Sequence, residues 1–313
     1  MLDTHRPVAI ITGTSSGIGK ETARRFVHAG WQVVGTGRDP HRCASATTEI
    51  AAAARDGGAF TMLRADFTSM PQVQRTAQRV RQLTSRIDVL INNAGGVRDR
   101  RVVGTDGTEA TFAVNCLAPY LLTCALLPVL RSTAAHRTRE SVRILTVSST
   151  AHRATAGLDW DDLQSIHDFQ AGSAYCRAKL ASILFTRELA RRVEPDGIVA
   201  HAMHPGVVDT NFATHGDRAM QAYLANAETV APDEPAQTLV WLATDPAAGG
   251  PSGRYFHRNA EETPSAAARD QAAARRLWDQ CARILATSSY RPRATGSRSL
   301  NRATDVQGQP SGG

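Results

Sequence analysis

Two side chains able to move a proton stand four residues apart in the stretch Ser173-Ala174-Tyr175-Cys176-Arg177-Ala178-Lys179. In a helix this spacing places the Tyr175 phenol and the Lys179 ammonium on one face. A tyrosine titrates near pH ~10, so it works as an acid-base group at neutrality only when a neighbouring cation favours its phenolate. Lys179 is that cation in this pattern. The chain is basic almost wholly through arginine, its only lysines being Lys20 and Lys179. A lysine at this place suits a compact point charge, a role that arginine fills badly. Taken alone, Tyr-x-x-x-Lys is unspecific, and a half-buried tyrosine beside a solvated lysine gives the same pattern.

Two further groups join it. Val142 to Val147 reads as a buried strand that ends on Ser148, Ser149 and Thr150, hydroxyls placed where parallel strands present their ligands. In the helix expected over about Thr108 to Leu130, Pro119 has no N–H to give the carbonyl of Asn115. That carbonyl can hold a water and pass protons between Lys179 and solvent, or the proline can be a packing kink without chemistry.

The elements that must position these groups alternate strand and helix. Val8 to Thr12 is an apolar run entering Gly13-Thr14-Ser15-Ser16-Gly17-Ile18-Gly19 and then a helical stretch, Lys20 to Ala29. Strand, glycine-rich turn and helix N-terminus make a pyrophosphate cradle. Trp31 to Gly37 is a second strand ending on Arg38, where a guanidinium can grip a ribose 2′-phosphate; Asp39 follows it. After a helix over about Arg42 to Arg55, a third strand, Phe60 to Ala65, ends on Asp66, which can accept from an adenine amino group or cap the helix after Pro71. Ile87 to Ile91 is the fourth strand and opens into Asn92-Asn93-Ala94-Gly95, small enough to pass close to a ribose.

Downstream, residues 151–172 mix helix and loop and carry Trp160 and Phe169, side chains suited either to core packing or to the walls of an apolar pocket. The Tyr175 helix runs to about Val193, followed by a strand over Ile198 to Met203 and the turn His204-Pro205-Gly206-Val207-Val208-Asp209-Thr210. Residues 211–234 are polar and suit a lid. A helix over Pro235 to Ala243, a strand over Arg254 to His257 and a docking helix over Ser265 to Ala286 complete an α/β doubly wound parallel sheet of about seven strands with helices on both faces. Residues 1–286 are expected to form one domain, and residues 287–313, rich in Ser, Arg, Gly and Pro, a disordered tail.

The 313 residues carry a net charge of +7, but the arginines are scattered among acids and aromatics make up only 5%. That distribution argues against nucleic acid and for a phosphorylated small ligand. Five cysteines without a C-x-x-C pair exclude a zinc ribbon or a disulfide framework and fit a cytoplasmic chain; no metal site is expected. No apolar run reaches the ~18 residues of a membrane helix and Met1 to Pro7 is polar, so no membrane anchor is expected.

Gly13-x-x-x-Gly17-Ile18-Gly19, Asn92-Asn93-Ala94-Gly95, Asn115, Ser149, Tyr175-x-x-x-Lys179 and Pro205-Gly206-x-Val208-x-Thr210 occur together and in order. This set resembles the single-domain short-chain dehydrogenases/reductases, with a Rossmann fold, over residues 7–257. Gly17-Ile18-Gly19-Lys20-Glu21-Thr22-Ala23, Val147-Ser148-Ser149-Thr150-Ala151-His152 and Ala174 to Arg192 are most like the retinol dehydrogenase and WW-domain oxidoreductase branch. The resemblance implies that Tyr175 is the general acid-base, that Lys179 lowers its pKa and bonds the nicotinamide ribose, that Ser149 orients the carbonyl, and that Asn115 holds a relay water. It further implies the carboxamide on Thr210 and the Val208 backbone, adenine on Asp66, ribose on Asn93, and phosphates on Gly13, Ser15, Ser16, Gly17, Ile18 and Gly19.

The expectation is an oxidoreductase that moves hydride between a nicotinamide and a carbonyl or alcohol of medium, partly apolar character; the alternative is a catalytically silent dinucleotide-binding regulator or scaffold. NADP(H) is favoured by Arg38, with NAD(H) as the alternative. The partner is a small-molecule substrate, and the family's habit of pairing through the Asn115 and Tyr175 helices admits a homodimer or homotetramer.

Overall fold

The computed structural model describes residues 2, 3, 5–208, 216–218, 221, 222 and 226–287. Thr210, part of the expected lid (211–215, 219, 220 and 223–225) and the 288–313 tail lie outside the described residues.

Alternation along the first strand, β1 (Val8–Ile11), explains the layering. Successive side chains of a strand point to opposite faces. Val8 and Ile10 enter one apolar cluster and Ala9 and Ile11 another, all four fully buried. A strand covered on both faces must be apolar throughout, which is why VAII shows no polar alternation. The helices α1 (Gly17–His28) and α2 (Pro40–Ala52) cover the second face, together with α7 (Asp233–Thr244). The first face is covered by α3 (Met70–Leu83), α5 (Ala118–Ala134), α6 (Ala171–Val193) and α8 (Gln271–Thr287).

The remaining strands are β2 (Gln32–Gly37), β3 (Ala59–Arg64), β4 (Val89–Asn92), β5 (Arg143–Val147), β6 (Val199–His204), β7 (Tyr255–His257) and β8 (Ala260–Glu261). Their order is β3-β2-β1-β4-β5-β6-β7-β8. Pairing is parallel from β3 through β7, and only β8 runs antiparallel, on β7. The expected doubly wound sheet is therefore present with one added strand, two residues long, which the sequence reading missed because it is too short to show a period. From β1 the chain winds one way to β3 and then restarts at β4 on the other side. The carboxyl ends of β1 and β4 thus form the switch point at which such sheets bind ligands.

Three boundaries differ from expectation for local reasons. Helix α1 begins at Gly17 rather than Lys20, because Ser16 is extended and Gly17 takes φ +54°, so the backbone turns into the helix there. The last helix begins at Gln271 rather than Ser265: the Asp270 carboxylate accepts from Ala272 N at 2.8 Å and Ala273 N at 3.0 Å, which caps it there. The helix around Asn115 is not uniform. It opens as α4 (Ala110–Phe112), passes through a π turn at Ala113–Leu117 and continues as α5.

This composite helix also corrects an expectation. Ala110–Ala134 is 25 residues long and contains an 18-residue window of mean hydropathy 1.8, long and apolar enough to cross a membrane, whereas the sequence reading found no such run. Within the fold, 61% of that window is buried, and Leu122, Leu126 and Leu130 are fully buried in the first-face core. The apolarity is that of a helix packed on most of its circumference.

The docking of α8 follows its stripe as expected. Leu277 and Cys281 are fully buried, and Trp278 stacks on Phe185 of α6 at 5.9 Å and meets Tyr120 edge-on at 4.8 Å.

Candidate active site

A cleft of about 270 Å³ opens at the switch point. The glycine-rich turn forms its floor, with Gly13, Ser15, Ser16, Gly17, Ile18 and Gly19 all lining it. Gly13 holds φ +76°, and a Cβ there would stand 2.9 Å from Asn93 Nδ2; a Cβ on Gly19 would run into the Gly13 carbonyl. The turn is therefore closed to side chains, and its backbone is left to face the cleft beside the N-terminus of α1. This fits a dinucleotide's phosphates.

Arg38 and Asp66, at the ends of β2 and β3, line the same cleft. Asp66 is already engaged: its Oδ1 accepts from Thr68 N at 2.9 Å and Thr68 Oγ1 at 2.8 Å. It caps this turn and not the helix, whose first residue, Met70, donates instead to Asp106 Oδ2 at 2.9 Å. Asn93 also lines the cleft, but its side-chain amide donates to the Thr12 carbonyl at 2.7 Å and the Gly13 carbonyl at 3.3 Å. The Thr12 hydroxyl in turn accepts from Asn93 N and Ala94 N at 3.0 and 2.8 Å. Asn93 thus stitches the two loops of the switch point together, leaving its backbone rather than its amide for a ribose.

Arg42 and Arg98 line the cleft without having been expected to. Arg42 had a signal, since it stands four residues after Arg38 in the first turn of α2. Arg98 had none, because its place depends on where the loop after β4 folds.

Gly95 joins the cleft to the proton-handling groups. A Cβ on it would stand 2.8 Å from Asn115 Oδ1 and 3.3 Å from Lys179 Nζ. Asn115, on the π turn, donates from Nδ2 to the Gly96 carbonyl at 2.7 Å and the Thr111 carbonyl at 2.8 Å, while its Oδ1 is buried without a partner among the described residues. A buried polar atom without a partner is costly, and this one sits where a water or a ribose hydroxyl would meet it.

The two serines after β5 divide their work. Ser148 is buried beneath α6, where its hydroxyl donates to the Lys179 carbonyl at 2.9 Å and meets Ser182 Oγ at 3.0 Å. Ser149 is half-buried; its Oγ accepts from Ala151 N at 3.1 Å and hydrogen-bonds the Tyr175 phenol. His152, which the sequence reading did not single out, holds this loop. Its Nε2 accepts from Ser265 N at 3.2 Å, so its Nδ1 carries the proton and donates to the Ser149 carbonyl at 2.7 Å.

Tyr175 and Lys179 are both buried on α6, at 8% and 5% exposure. Burial pushes the Tyr175 phenol up, and the Ser149 hydrogen bond only partly opposes this. Burial also lowers the Lys179 ammonium to about 8. Its Nζ donates to the Val147 carbonyl at 3.1 Å.

Val208 is bridged to Val230, with Val230 N donating to the Val207 carbonyl at 2.8 Å, so the turn after β6 is tied to the segment leading into α7. Trp160 packs against the first-face core under Arg276, whose guanidinium lies 4.4 Å from the ring, so core packing accounts for it. The structure thus brings Ser149, Tyr175 and Lys179 together where α6 packs on the end of β5, with Asn115 and Lys179 beside Gly95, which lines the cleft along with Arg38 and Asp66.

The short chain dehydrogenase family model matches residues 7–221. The chain belongs to this family. It lies in the retinol dehydrogenase-like branch of the short-chain dehydrogenases/reductases. It is 36% identical to retinol dehydrogenase 14 of Homo sapiens over 292 residues, covering 88% of this chain and 85% of that one. It is 36% identical to polyprenol dehydrogenase of Mus musculus over 282 residues, covering 88% and 83%. Among solved structures, the Pseudomonas aeruginosa RhlG/NADP active-site complex superposes with a TM-score of 0.64 at 26% identity, covering 80% of this chain and 93% of that one. This short-chain dehydrogenase/reductase is an NAD(P)-dependent oxidoreductase of small molecules.

Proposed function

We propose that the enzyme is NADP(H)-preferring and interconverts a carbonyl and an alcohol on a medium-sized, partly apolar substrate, with Tyr175 as general acid-base. The observation that carries this reading is the buried phenol hydrogen-bonded to Ser149 and followed one helical turn later by Lys179. The names of the two relatives, a retinol and a polyprenol dehydrogenase, support an apolar alcohol or its carbonyl as the substrate class.

When bound, the nicotinamide supplies or accepts the hydride. The chain supplies the rest. In the reductive direction negative charge develops on the substrate oxygen, and a donor already aimed at that atom lowers the barrier without reorganising. Ser149 suits this role, because its Oγ accepts from Ala151 N, and the hydroxyl hydrogen that it gives the Tyr175 phenol would turn to the substrate oxygen. Tyr175 then gives its proton to the same oxygen, and its raised pKa keeps it in the acid form that this direction needs. A tyrosinate formed in a buried site needs a compensating charge and a proton source. Lys179, lowered to about 8, carries charge at neutral pH and exchanges protons close to it. Asn115, with an unpartnered Oδ1 beside Lys179 across Gly95, would hold the water that refills it. Arg38 would hold the 2′-phosphate, and Asp66 and the Asn93 backbone the adenosine and ribose.

The test is loss of reduced-nicotinamide absorbance with NADPH and NADH in parallel, against aldehydes, cyclic ketones, ketosteroids and retinal. Faster turnover of any of these with NADPH than with NADH is the expected result. Turnover with NADH alone would overturn the cofactor assignment.

A further inference from the structure

The cationic end of the cleft holds a third guanidinium whose charge no acid among the described residues is committed to balance. Arg98 lies on the loop after β4 and lines the cleft with Arg38 and Arg42. It is half-buried, and its hydrogen bond runs from Nη1 to the carbonyl of its own neighbour, Val97, at 3.3 Å. Burial and the nearby Arg38 disfavour its charge, while Asp66, Glu109 and Asp99 favour it.

Each of those three acids is engaged elsewhere. Asp66 accepts twice from Thr68. Glu109 is fully buried and caps α4, accepting from Thr111 N at 2.9 Å and Phe112 N at 2.8 Å. Asp99 pairs at 3.7 Å with Arg100. Among the described residues none of them comes within ion-pair distance of Arg98. A half-buried guanidinium facing a like charge is unfavourable unless an anion enters the cleft. The groups around it, Arg38 and Asp66, stand at the ends of β2 and β3, which is the adenosine end of the cleft and far from Lys179 along the sheet.

We propose that Arg98 is a specificity-determining residue that binds the adenosine 2′-phosphate opposite Arg38, so that the phosphate is gripped from the β4 loop as well as from β2. This rests on the NADP(H) reading given above. The guanidinium's fork of donors suits a phosphate, and charge-assisted hydrogen bonds of this kind are the strong ones. It also gives the loop after β4 a part to play at the adenosine end that its glycines do not explain.

The test measures binding to the ligand-free protein, so that activity plays no part. 2′,5′-ADP and 5′-AMP differ only in the 2′-phosphate, and their affinities are compared in the wild type, Arg98→Ala, Arg98→Lys and Arg38→Ala. In Arg98→Ala, 2′,5′-ADP should weaken about 10-fold and 5′-AMP less than about 2-fold, with Arg98→Lys recovering part of the loss. Equal losses for both ligands, or none, overturn the inference. If Arg38→Ala loses the preference for 2′,5′-ADP while Arg98→Ala keeps it, this inference fails and the NADP(H) reading stands. A wild type that binds both ligands alike overturns both. Thermal unfolding without ligand checks that each variant is folded, and Arg98→Gln replaces the alanine variant if that one is not.

Discussion

Lys179 Nζ lies 5.6 Å from the centre of the Tyr175 ring and donates to the Val147 carbonyl at 3.1 Å. The ammonium is thus held by the end of β5, the strand that also delivers Ser149. The tyrosine is held to Ser149 by its phenol. Acid, cation and hydroxyl are fixed to one another through a single strand end and a single helix, so their geometry depends on the packing of α6 on the sheet.

Removing the phenolic oxygen tests the proton assignment directly. Tyr175→Phe keeps the ring and its burial, so turnover should fall at least ~10²-fold while NADPH binding, read by fluorescence, changes little. Turnover at the wild-type rate would falsify the assignment of Tyr175.

Burial of Lys179 has a consequence for stability as well. Its folded pKa is lowered to about 8 from an ordinary value of 10.5, so between these values the unfolded chain binds more protons than the native one. Stability from this group therefore rises with pH through that window, is fully present above about 10.5, and is lost as pH falls through 8. The difference in unfolding free energy between wild type and Lys179→Met should move toward the wild type by about 3 kcal/mol between pH 7.5 and 10.5. Denaturant titrations of both proteins at the two pH values check this, and a pH-independent difference would show that Lys179 titrates normally.

Arg38→Ala should lower kcat/KM for NADPH about 10- to 100-fold and leave that for NADH nearly unchanged, since only the former offers a phosphate to the guanidinium. Steady-state kinetics with both cofactors on one substrate decide it. A parallel fall for both would give Arg38 a role in holding the loop instead.

Gly13→Ala meets two obstacles together. A residue other than glycine at φ +76° costs about 1–2 kcal/mol, and the new Cβ would stand 2.9 Å from Asn93 Nδ2 and 3.0 Å from Ala94 Cα. The stitching amide of Asn93 must then move. The midpoint of thermal unfolding should drop by roughly 3–8 °C, and dinucleotide affinity should weaken with it. An unchanged midpoint would mean that the two loops can separate without cost.

Much of this was legible in the sequence because it rests on local chemistry. The apolar run Val8 to Thr12, the glycines after it and the Arg38 strand end each declare strand, turn or ligand end within a few residues, and the parallel sheet follows from their alternation. Features set by long-range packing were not legible. The π turn at Ala113–Leu117 leaves no mark beyond Pro119, and β8 is two residues long. Arg98 reaches the cleft only because its loop folds toward β3, and the apolarity of Ala110–Ala134 was missed where polar single residues interrupt it. The upward push on the Tyr175 phenol has the same origin, since the burial that causes it belongs to the packed core. Thr210 and the 288–313 tail are outside the described residues.

The π turn sets a limit on how this helix can change. Its bond from Ala118 N to the Ala113 carbonyl spans five residues, so the turn is equivalent to a single-residue insertion absorbed without a break. Each residue advances a helix by about 100°, and the surplus residue shifts the phase between the stretch that carries Asn115 and the leucines that face the core. Excising one residue between Ala113 and Leu117 would restore a regular helix and keep Leu122, Leu126 and Leu130 in register with each other. Asn115 would then rotate away from the Gly96 carbonyl and from Lys179. Length variation in this helix is therefore barred by the site as well as by the core, in which Phe112 and Ala113 would turn out of register together with Asn115.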